Sequence, residues 1–379
     1  YDGTLNEGVL SGNLYLRGEG DPELVYETVW KMVKDLQAQG LTTIMGDLVA
    51  DDTFFDEQRL IPDWNEDDLD DETHAYNAPL GALSFNFNTV ALVVRPGATV
   101  KAPVRITFET PTGYVRIENR ATTGGRNSKP TLRFSRRSED SGPELVLEGR
   151  LPINSGFKRY YRTVPNPPQF ALTLMSEMMA REGIVIRGGR RLGRTPDGAV
   201  ALHYHHSSSL DILMKHMNKL SSNFIAEQTV KAMGARVYGA PGTTEKGIQV
   251  MRDYLQQAKL PWDTSAFYNG SGLSYRTRVS ARQLAGVLCY VERDHRQRYD
   301  FLATFPIAGV DGTLRRRMIG TGAEGNLRAK TGSIKGIFGF SGLLESQDQR
   351  NLAFSFLVND IEGKVAEVRQ AQDLSLIHI

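Results

Sequence analysis

Hydrophobic and polar positions recur along this chain with two different periods, and the switches between them divide it. Near the start, Val9-Leu10-Ser11-Gly12-Asn13-Leu14-Tyr15-Leu16 reads as a hairpin strand pair. Asp21-Pro22 then supplies an N-cap and a first helical residue, and Val25, Val29, Met32, Val33 and Leu36 follow at helical spacing up to Gly40. Residues 46–52 predict a strand and turn, and an acidic loop over 64–73 leads to Tyr76-Asn77-Ala78-Pro79. From Thr89 to about Arg162 the period becomes two. Short strands are predicted at 90–94, 104–108, 114–117, 132–134 and 145–147, separated by Pro, Gly, Asn and Asp turns, which makes a small all-β unit. A helix over 168–182, closed by Gly183, and a strand at 184–186 bring the α/β pattern back.

After Ser209 helical spacing dominates. Leu210, Leu213, Met214, Met217 and Leu220 form one face, and Ile248, Met251 and Leu255 another. Leu284, Val287, Leu288 and Val291 form a third, opened by a Ser280…Gln283 capping box. Strands return at 327–331, 337–344 and 352–358, and 361–372 reads as a polar helix start that runs into Leu374-Ser375-Leu376-Ile377-His378-Ile379. Those last six residues have neither a cap nor a polar tail, and they are set apart as doubtful native sequence.

A chain of 379 residues has room for two or three domains. Its 45 basic and 44 acidic side chains leave a net charge of +1, which argues against a dedicated nucleic-acid binder. No apolar run approaches the roughly 18 residues of a membrane span, and no charged-then-apolar leader stands at the front. The single cysteine, Cys289, excludes an intramolecular disulfide, and its neighbours Val287, Leu288 and Tyr290 predict a buried, inert thiol.

Two short motifs carry chemistry. Ser221-Ser222-Asn223 lies between helical segments, where a junction can point a hydroxyl and an amide into a cleft; Ser and Asn are also ordinary helix caps. Lys330-Thr331-Gly332-Ser333 begins 107 positions after Asn223, near the end of a predicted strand. An ammonium there lowers the pKa of a nearby hydroxyl and attracts a carboxylate, the hydroxyls of Thr331 and Ser333 can bind that carboxylate, and Gly332 lets a substrate backbone approach. Taken alone, the tetrapeptide is more simply an exposed hairpin turn. In this order, the two are part of the three-motif set of penicillin-recognising serine acyltransferases. The third, Ser-x-x-Lys, occurs only as Ser155-Gly156-Phe157-Lys158, in an extended Pro- and Gly-flanked stretch. That motif needs a helix start so that Ser and Lys share a face, so Ser155 is not expected to be a nucleophile.

Longer segments carry a family resemblance. Gly12-Asn13-Leu14-Tyr15-Leu16-Arg17-Gly18-Glu19-Gly20-Asp21-Pro22, Tyr76-Asn77-Ala78-Pro79, Tyr268-Asn269-Gly270-Ser271-Gly272-Leu273-Ser274 and Phe305-Pro306-Ile307-Ala308-Gly309-Val310-Asp311-Gly312-Thr313-Leu314 resemble segments of the S13-type D-alanyl-D-alanine carboxypeptidase/endopeptidases, the low-molecular-mass class C penicillin-binding proteins. One departure is Asn269, where the family usually has Asp. The resemblance implies an α/β multi-domain fold: a penicillin-binding, serine β-lactamase-like domain (1–22 and 203–379) interrupted by an α/β insertion (23–90 and 160–202) that itself carries a small all-β domain (91–159).

The resemblance also implies roles. A serine and lysine of Ser-x-x-Lys, expected upstream of Tyr1 so that the chain starts mid-domain and is inactive alone, would attack the bond between two D-alanines of a peptidoglycan stem peptide and form an acyl-enzyme; β-lactams would acylate the same serine. Ser221 would relay protons, Asn223 would orient the substrate amide, and Lys330, Thr331, Gly332 and Ser333 would hold the terminal carboxylate and supply an oxyanion donor. In the acidic loop, Asp71 would face the amino end of the stem peptide's diamino acid. Periplasmic or cell-envelope placement is implied, a peripheral membrane contact is compatible with it, and neither cofactor nor metal is expected. Whether a cross-link is cleaved as well stays open. A non-catalytic peptidoglycan-binding homologue is the rival, and a serine β-lactamase fits the motifs but not the two-part insertion.

Other chemistries fall away. His203-Tyr204-His205-His206 lacks the spacing of a zinc site. Gly270-Ser271-Gly272 is not a nucleophile elbow, and Gly18-Glu19-Gly20 is followed by Asp21-Pro22 rather than by a phosphate loop. Arg315-Arg316-Arg317 is read as a solvated helix face, with a contact to anionic cell-wall polymer as the alternative.

Overall fold

The computed structural model of the protein describes residues 1–60, 73–139, 142–262, 265–361 and 363–379. They pack as two compact units. The first holds 1–60, 73–207 and 238–243, and the second holds 208–237 and 244–379. Among the described residues no helix is long and apolar enough to cross a membrane.

In chain order the first unit contains β1 (Thr4–Asn6), β2 (Val9–Ser11), β3 (Leu14–Arg17), α1 (Tyr26–Ala38), β4 (Thr43–Ile44) and β5 (Leu48–Asp51). The strands β6 (Thr89–Arg95), β7 (Arg105–Phe108), β8 (Arg116–Asn119), β9 (Thr122–Gly124), β10 (Arg133–Glu139), β11 (Gly142–Glu148), β12 (Arg150–Pro152) and β13 (Lys158–Thr163) follow, then α2 (Pro167–Arg181), β14 (Val185–Ile186) and β15 (Arg190–Leu192). Sheets β1-β2-β4-β14 and β15-β5-β3 form the α/β part; β13-β6-β7, β10-β11-β8 and β12-β9 form the β module. One core runs through both parts, with Val29 and Val33 of α1, Phe170 and Leu174 of α2, and Leu92, Leu145 and Leu147 of the module buried together.

Two expectations for the first unit are corrected by the structure. The hairpin is made by β1 and β2 around Glu7-Gly8, while β3 leaves it to pair in parallel with β5. The boundary drawn at residue 22 therefore has strands paired across it. Helix α1 starts at Tyr26 rather than at Asp21-Pro22, because the Asp21 carboxylate is taken by the Glu23 amide and by His205, whereas Asn86 Oδ1 accepts the Tyr26 amide at 2.9 Å. A cap supplied from 60 residues away leaves no local signature.

The second unit comprises α3 (Leu210–Leu220), α4 (Asn223–Tyr238), α5 (Thr244–Gln257), α6 (Ala281–Arg293), α7 (Arg298–Thr304), the antiparallel sheet β16 (Arg328–Ile334), β17 (Ile337–Glu345) and β18 (Asn351–Val358), and α8 (Val365–Leu376). Phe340 and Leu344 of β17 pack with Leu376 of α8 on one side of the sheet; Leu343 meets Leu288 of α6 and Phe305 on the other. The capping box of α6 forms with both hydrogen bonds, Gln283 N to Ser280 Oγ and Ser280 N to Gln283 Oε1. Cys289, expected to be buried, is exposed, because α6 turns Gln283, Leu288 and Val291 inward and residue 289 lies about 100° away from 288 around the helix.

Candidate active site

The site grows out of the junction between α3 and α4. Helix α3 ends at Leu220, and Ser221 adopts the left-handed conformation (φ 56°, ψ 49°), a strained state for a residue with a Cβ. Ser222 then does the capping: its Oγ accepts the Ile225 amide at 3.3 Å, and its own amide donates to Met217 O. The cap reading of the triplet is therefore right for Ser222, and it leaves the Ser221 hydroxyl available for something else. Asn223 opens α4, half-buried.

Lys330 reaches that hydroxyl from β16. Its Nζ donates to Ser221 Oγ at 2.8 Å and to the Thr331 carbonyl at 2.5 Å, so two motifs 109 residues apart share one hydrogen bond. Burial pushes the Lys330 ammonium down to about 8. Thr331 Oγ1 donates to Thr313 Oγ1 at 3.1 Å. In the sheet Gly332 lies opposite Gly339, and a Cβ at Gly332 would meet nothing closer than 4.0 Å. Among the described residues no close neighbour demands glycine there; what glycine provides is a flat, open strip of strand with Ser333 exposed beside it. Asp71 lies outside the described residues.

A lysine that is harder to protonate in the folded state carries a stability signature. Between about pH 8 and its unfolded value the unfolded chain binds more protons, so stability should rise with pH through that window. Lys330→Met removes the cost of the buried ammonium. We expect it to raise the melting temperature by several degrees at pH 7 and to abolish the rise above pH 8, both readable by thermal melts.

Three braces hold the junction, and the sequence reading missed their side chains. Asn218 Nδ2 donates to Thr304 Oγ1 at 2.8 Å, and Lys219 Nζ bonds Asp311 Oδ2 at 2.5 Å while Asp311 Oδ1 accepts the Ile307 amide. Glu227, one turn beyond Asn223 and with 0% exposure, accepts the amides of Gly270 at 3.0 Å and Ser271 at 2.9 Å. Burial raises its carboxyl above the usual range. A Cβ on Gly270 would lie 2.6 Å from Val230 Cγ2, so only glycine lets the loop sit against α4. Asn269 Oδ1 accepts the Gly272 amide at 3.0 Å, the acceptor an Asp would also supply. The two loops that resembled family segments thus hold the Ser-x-Asn junction in place. The one available signal was Glu227 standing four residues after Asn223 on the same helical face.

Ser221, Ser222, Asn223, Lys330, Thr331, Gly332 and Ser333 border a cavity of about 1530 Å³ whose remaining wall is largely apolar, with Met217, Met251, Leu255, Phe267, Leu284 and Phe301. Ser155 and Lys158 are not part of it. Ser155 Oγ donates to Pro152 O in a turn, and Lys158 opens β13. His203 and His205 face Asp35 at 4.0 Å and Asp21 at 3.1 Å, and among the described residues no group of three or more metal-type ligands converges.

This mixed α/β fold with several sheets, and a lysine and serine from distant motifs in one apolar cleft, falls in a known class: the model of the D-Ala-D-Ala carboxypeptidase 3 (S13) family matches residues 1–376, and the chain belongs to that family. Among relatives, the D-alanyl-D-alanine carboxypeptidase of Actinomadura sp. (strain R39) is 33% identical over 366 residues, which are 93% of this chain and 66% of that protein. The present chain thus spans just under two thirds of that relative. The D-alanyl-D-alanine carboxypeptidase DacB of Haemophilus influenzae is 27% identical over 380 residues, covering 96% of this chain and 76% of that protein. The crystal structure of penicillin binding protein 4 (dacB) from H. influenzae superposes with a TM-score of 0.86 at 26% identity, over 99% of this chain and 83% of that one. A second structure of that protein, complexed with a β-lactam, has a TM-score of 0.81 at 24% identity.

Proposed function

We propose that the protein is a serine-type DD-peptidase of the cell envelope that cleaves the D-Ala-D-Ala bond of peptidoglycan stem peptides through an acyl-enzyme, and that β-lactams acylate the same serine. A serine Oγ adds to the carbonyl and passes its proton to the lysine of its own motif. The C–N bond then breaks, the leaving D-alanine takes a proton through Ser221, and water releases the acyl group. Asn223 orients the substrate amide. Lys330, Thr331 and Ser333 hold the terminal carboxylate, with the Ser333 amide as an oxyanion donor beside the open strip at Gly332. Asp71, on the acidic loop, reads the amino end of the diamino acid. The proposed layout is a penicillin-binding domain interrupted by an α/β insertion carrying the β module.

The observation that carries this reading is the 2.8 Å hydrogen bond between Lys330 and Ser221, made by a lysine whose pKa is lowered to about 8. In this reading the nucleophile lies outside these 379 residues, which is supported by the one Ser-x-x-Lys string lying in a turn and a strand rather than at a helix start. The cavity, about 1530 Å³ and largely apolar, has room for a stem peptide beside Ser221 and Lys330.

Fluorescent penicillin tests the proposal. The 379-residue chain should stay unlabelled, and a form that also carries Ser-x-x-Lys should label covalently at that serine. Stable labelling of Ser155 or Ser221 in the present chain would overturn the assignment. A form with the motif that binds peptidoglycan yet never labels would mark a non-catalytic binder.

A further inference from the structure

Charge is spread unevenly along this nearly neutral chain. Residues 91–159, the greater part of the β module, hold thirteen basic against six acidic side chains, a net of +7, whereas the whole chain carries +1. Within the module the charge is sorted again by the strand pairings. Strand β6 ends at Arg95 directly opposite Arg105 at the start of β7, and β13 begins at Lys158, opposite Val94. Lys101 donates its amide to Thr123 O, Pro103 bridges to Thr122, and Pro152 pairs with Gly124. Segments 95–105, 123–130 and 152–158 are thereby gathered at one end, and not one acidic residue occurs in them.

Six cations stand there: Arg95, Lys101, Arg105, Arg126, Lys129 and Lys158. All are exposed, and none forms an ion pair among the described residues. Like charges directly opposite, as Arg95 and Arg105 are, destabilise an isolated sheet, and an anionic surface would offset that. Two apolar side chains are exposed among them, Phe157 at 57%, with the Arg95 guanidinium 5.8 Å from its ring centre, and Val100 at 50%.

We propose that this end of the β module docks on a membrane surface rich in anionic phospholipid, the cations meeting phosphate groups while Phe157 and Val100 enter the interface. The apolar pair decides the kind of surface. A soluble polyanion would be held by the cations alone and gains nothing from an exposed phenyl ring, whereas an interface rewards both. This goes beyond the proposed peptidase chemistry and does not depend on it.

Co-sedimentation of the 379-residue chain with vesicles tests it, using phosphatidylcholine alone and phosphatidylcholine with roughly one-third phosphatidylglycerol. Binding is expected only to the anionic vesicles and should fade as salt screens the charges. Each lost cation should weaken partitioning about fivefold, so Lys101→Glu with Lys158→Glu should reduce it at least about 25-fold. Phe157→Ala should reduce it about tenfold. Lys129→Glu with Arg126→Glu, in the turn after β9, repeats the test should the first pair impair folding, which far-ultraviolet dichroism reports. Equal binding to neutral vesicles, or undiminished binding by folded charge-reversed variants, would overturn the proposal. Tight binding to polyphosphate with no effect of Phe157→Ala on vesicle binding would overturn it as well, in favour of a soluble polyanion.

Discussion

In a form of the protein that carries Ser-x-x-Lys, replacing Lys330 by Met should slow covalent labelling by fluorescent penicillin about 10²–10³-fold. The variant loses the cation that anchors a carboxylate and the donor that holds Ser221 Oγ at 2.8 Å, and removing one such preorganised group typically costs that much. The same change should stabilise the fold, so a protein that melts higher and reacts more slowly is the combined signature. The pH dependence follows from the lowered pKa. Below about 8 the lysine is charged and attracts a carboxylate; above it the charge is lost, so capture of carboxylate-bearing substrates should fall as pH rises through that value. Lys330→Arg, which stays charged, should lack this falling limb. A flat wild-type profile from pH 7 to 9 would remove Lys330 from the role of carboxylate anchor.

Replacing Glu227 by Ala should cost about 2–5 kcal/mol of stability by urea denaturation. The carboxyl group is wholly buried and accepts two amides, from Gly270 and Ser271; truncation leaves both N–H groups buried without an acceptor. Glu227→Gln keeps one carbonyl oxygen and should lose much less. Because burial raises this carboxyl, its contribution is fully present below its unfolded pKa and declines as pH rises through the raised folded value, a trend that Glu227→Gln should flatten. A loss under 1 kcal/mol in Glu227→Ala would mean that the loop is held mainly by other contacts.

Some elements were legible because their causes are local. The capping box at Ser280 and Gln283, the helix predicted over 168–182 and found as α2, and the two-residue period of the β module each rest on residues within a few positions of one another, and the structure has them close to where the sequence puts them. Helix α4 was harder. It buries Glu227, Gln228 and Lys231 along with Phe224, Ile225 and Val230, so no clean apolar stripe marks it. The start of α1 and the departure of β3 from its expected hairpin depend on partners far along the chain, Asn86 and β5.

The candidate site divides along the same line. The sequence alone determined its parts list, Ser221, Asn223 and Lys330-Thr331-Gly332-Ser333, since motif order and flanking segments are properties of the string. Only the tertiary structure decided that Ser222 serves as the cap while Ser221, in a left-handed turn, takes the hydrogen bond from Lys330. It also decided that Glu227, Asp311 and Thr304 hold that junction still. The physical reason is distance: a hydrogen bond closing a loop of 109 residues, and a pKa lowered by burial, depend on packing that no local pattern encodes.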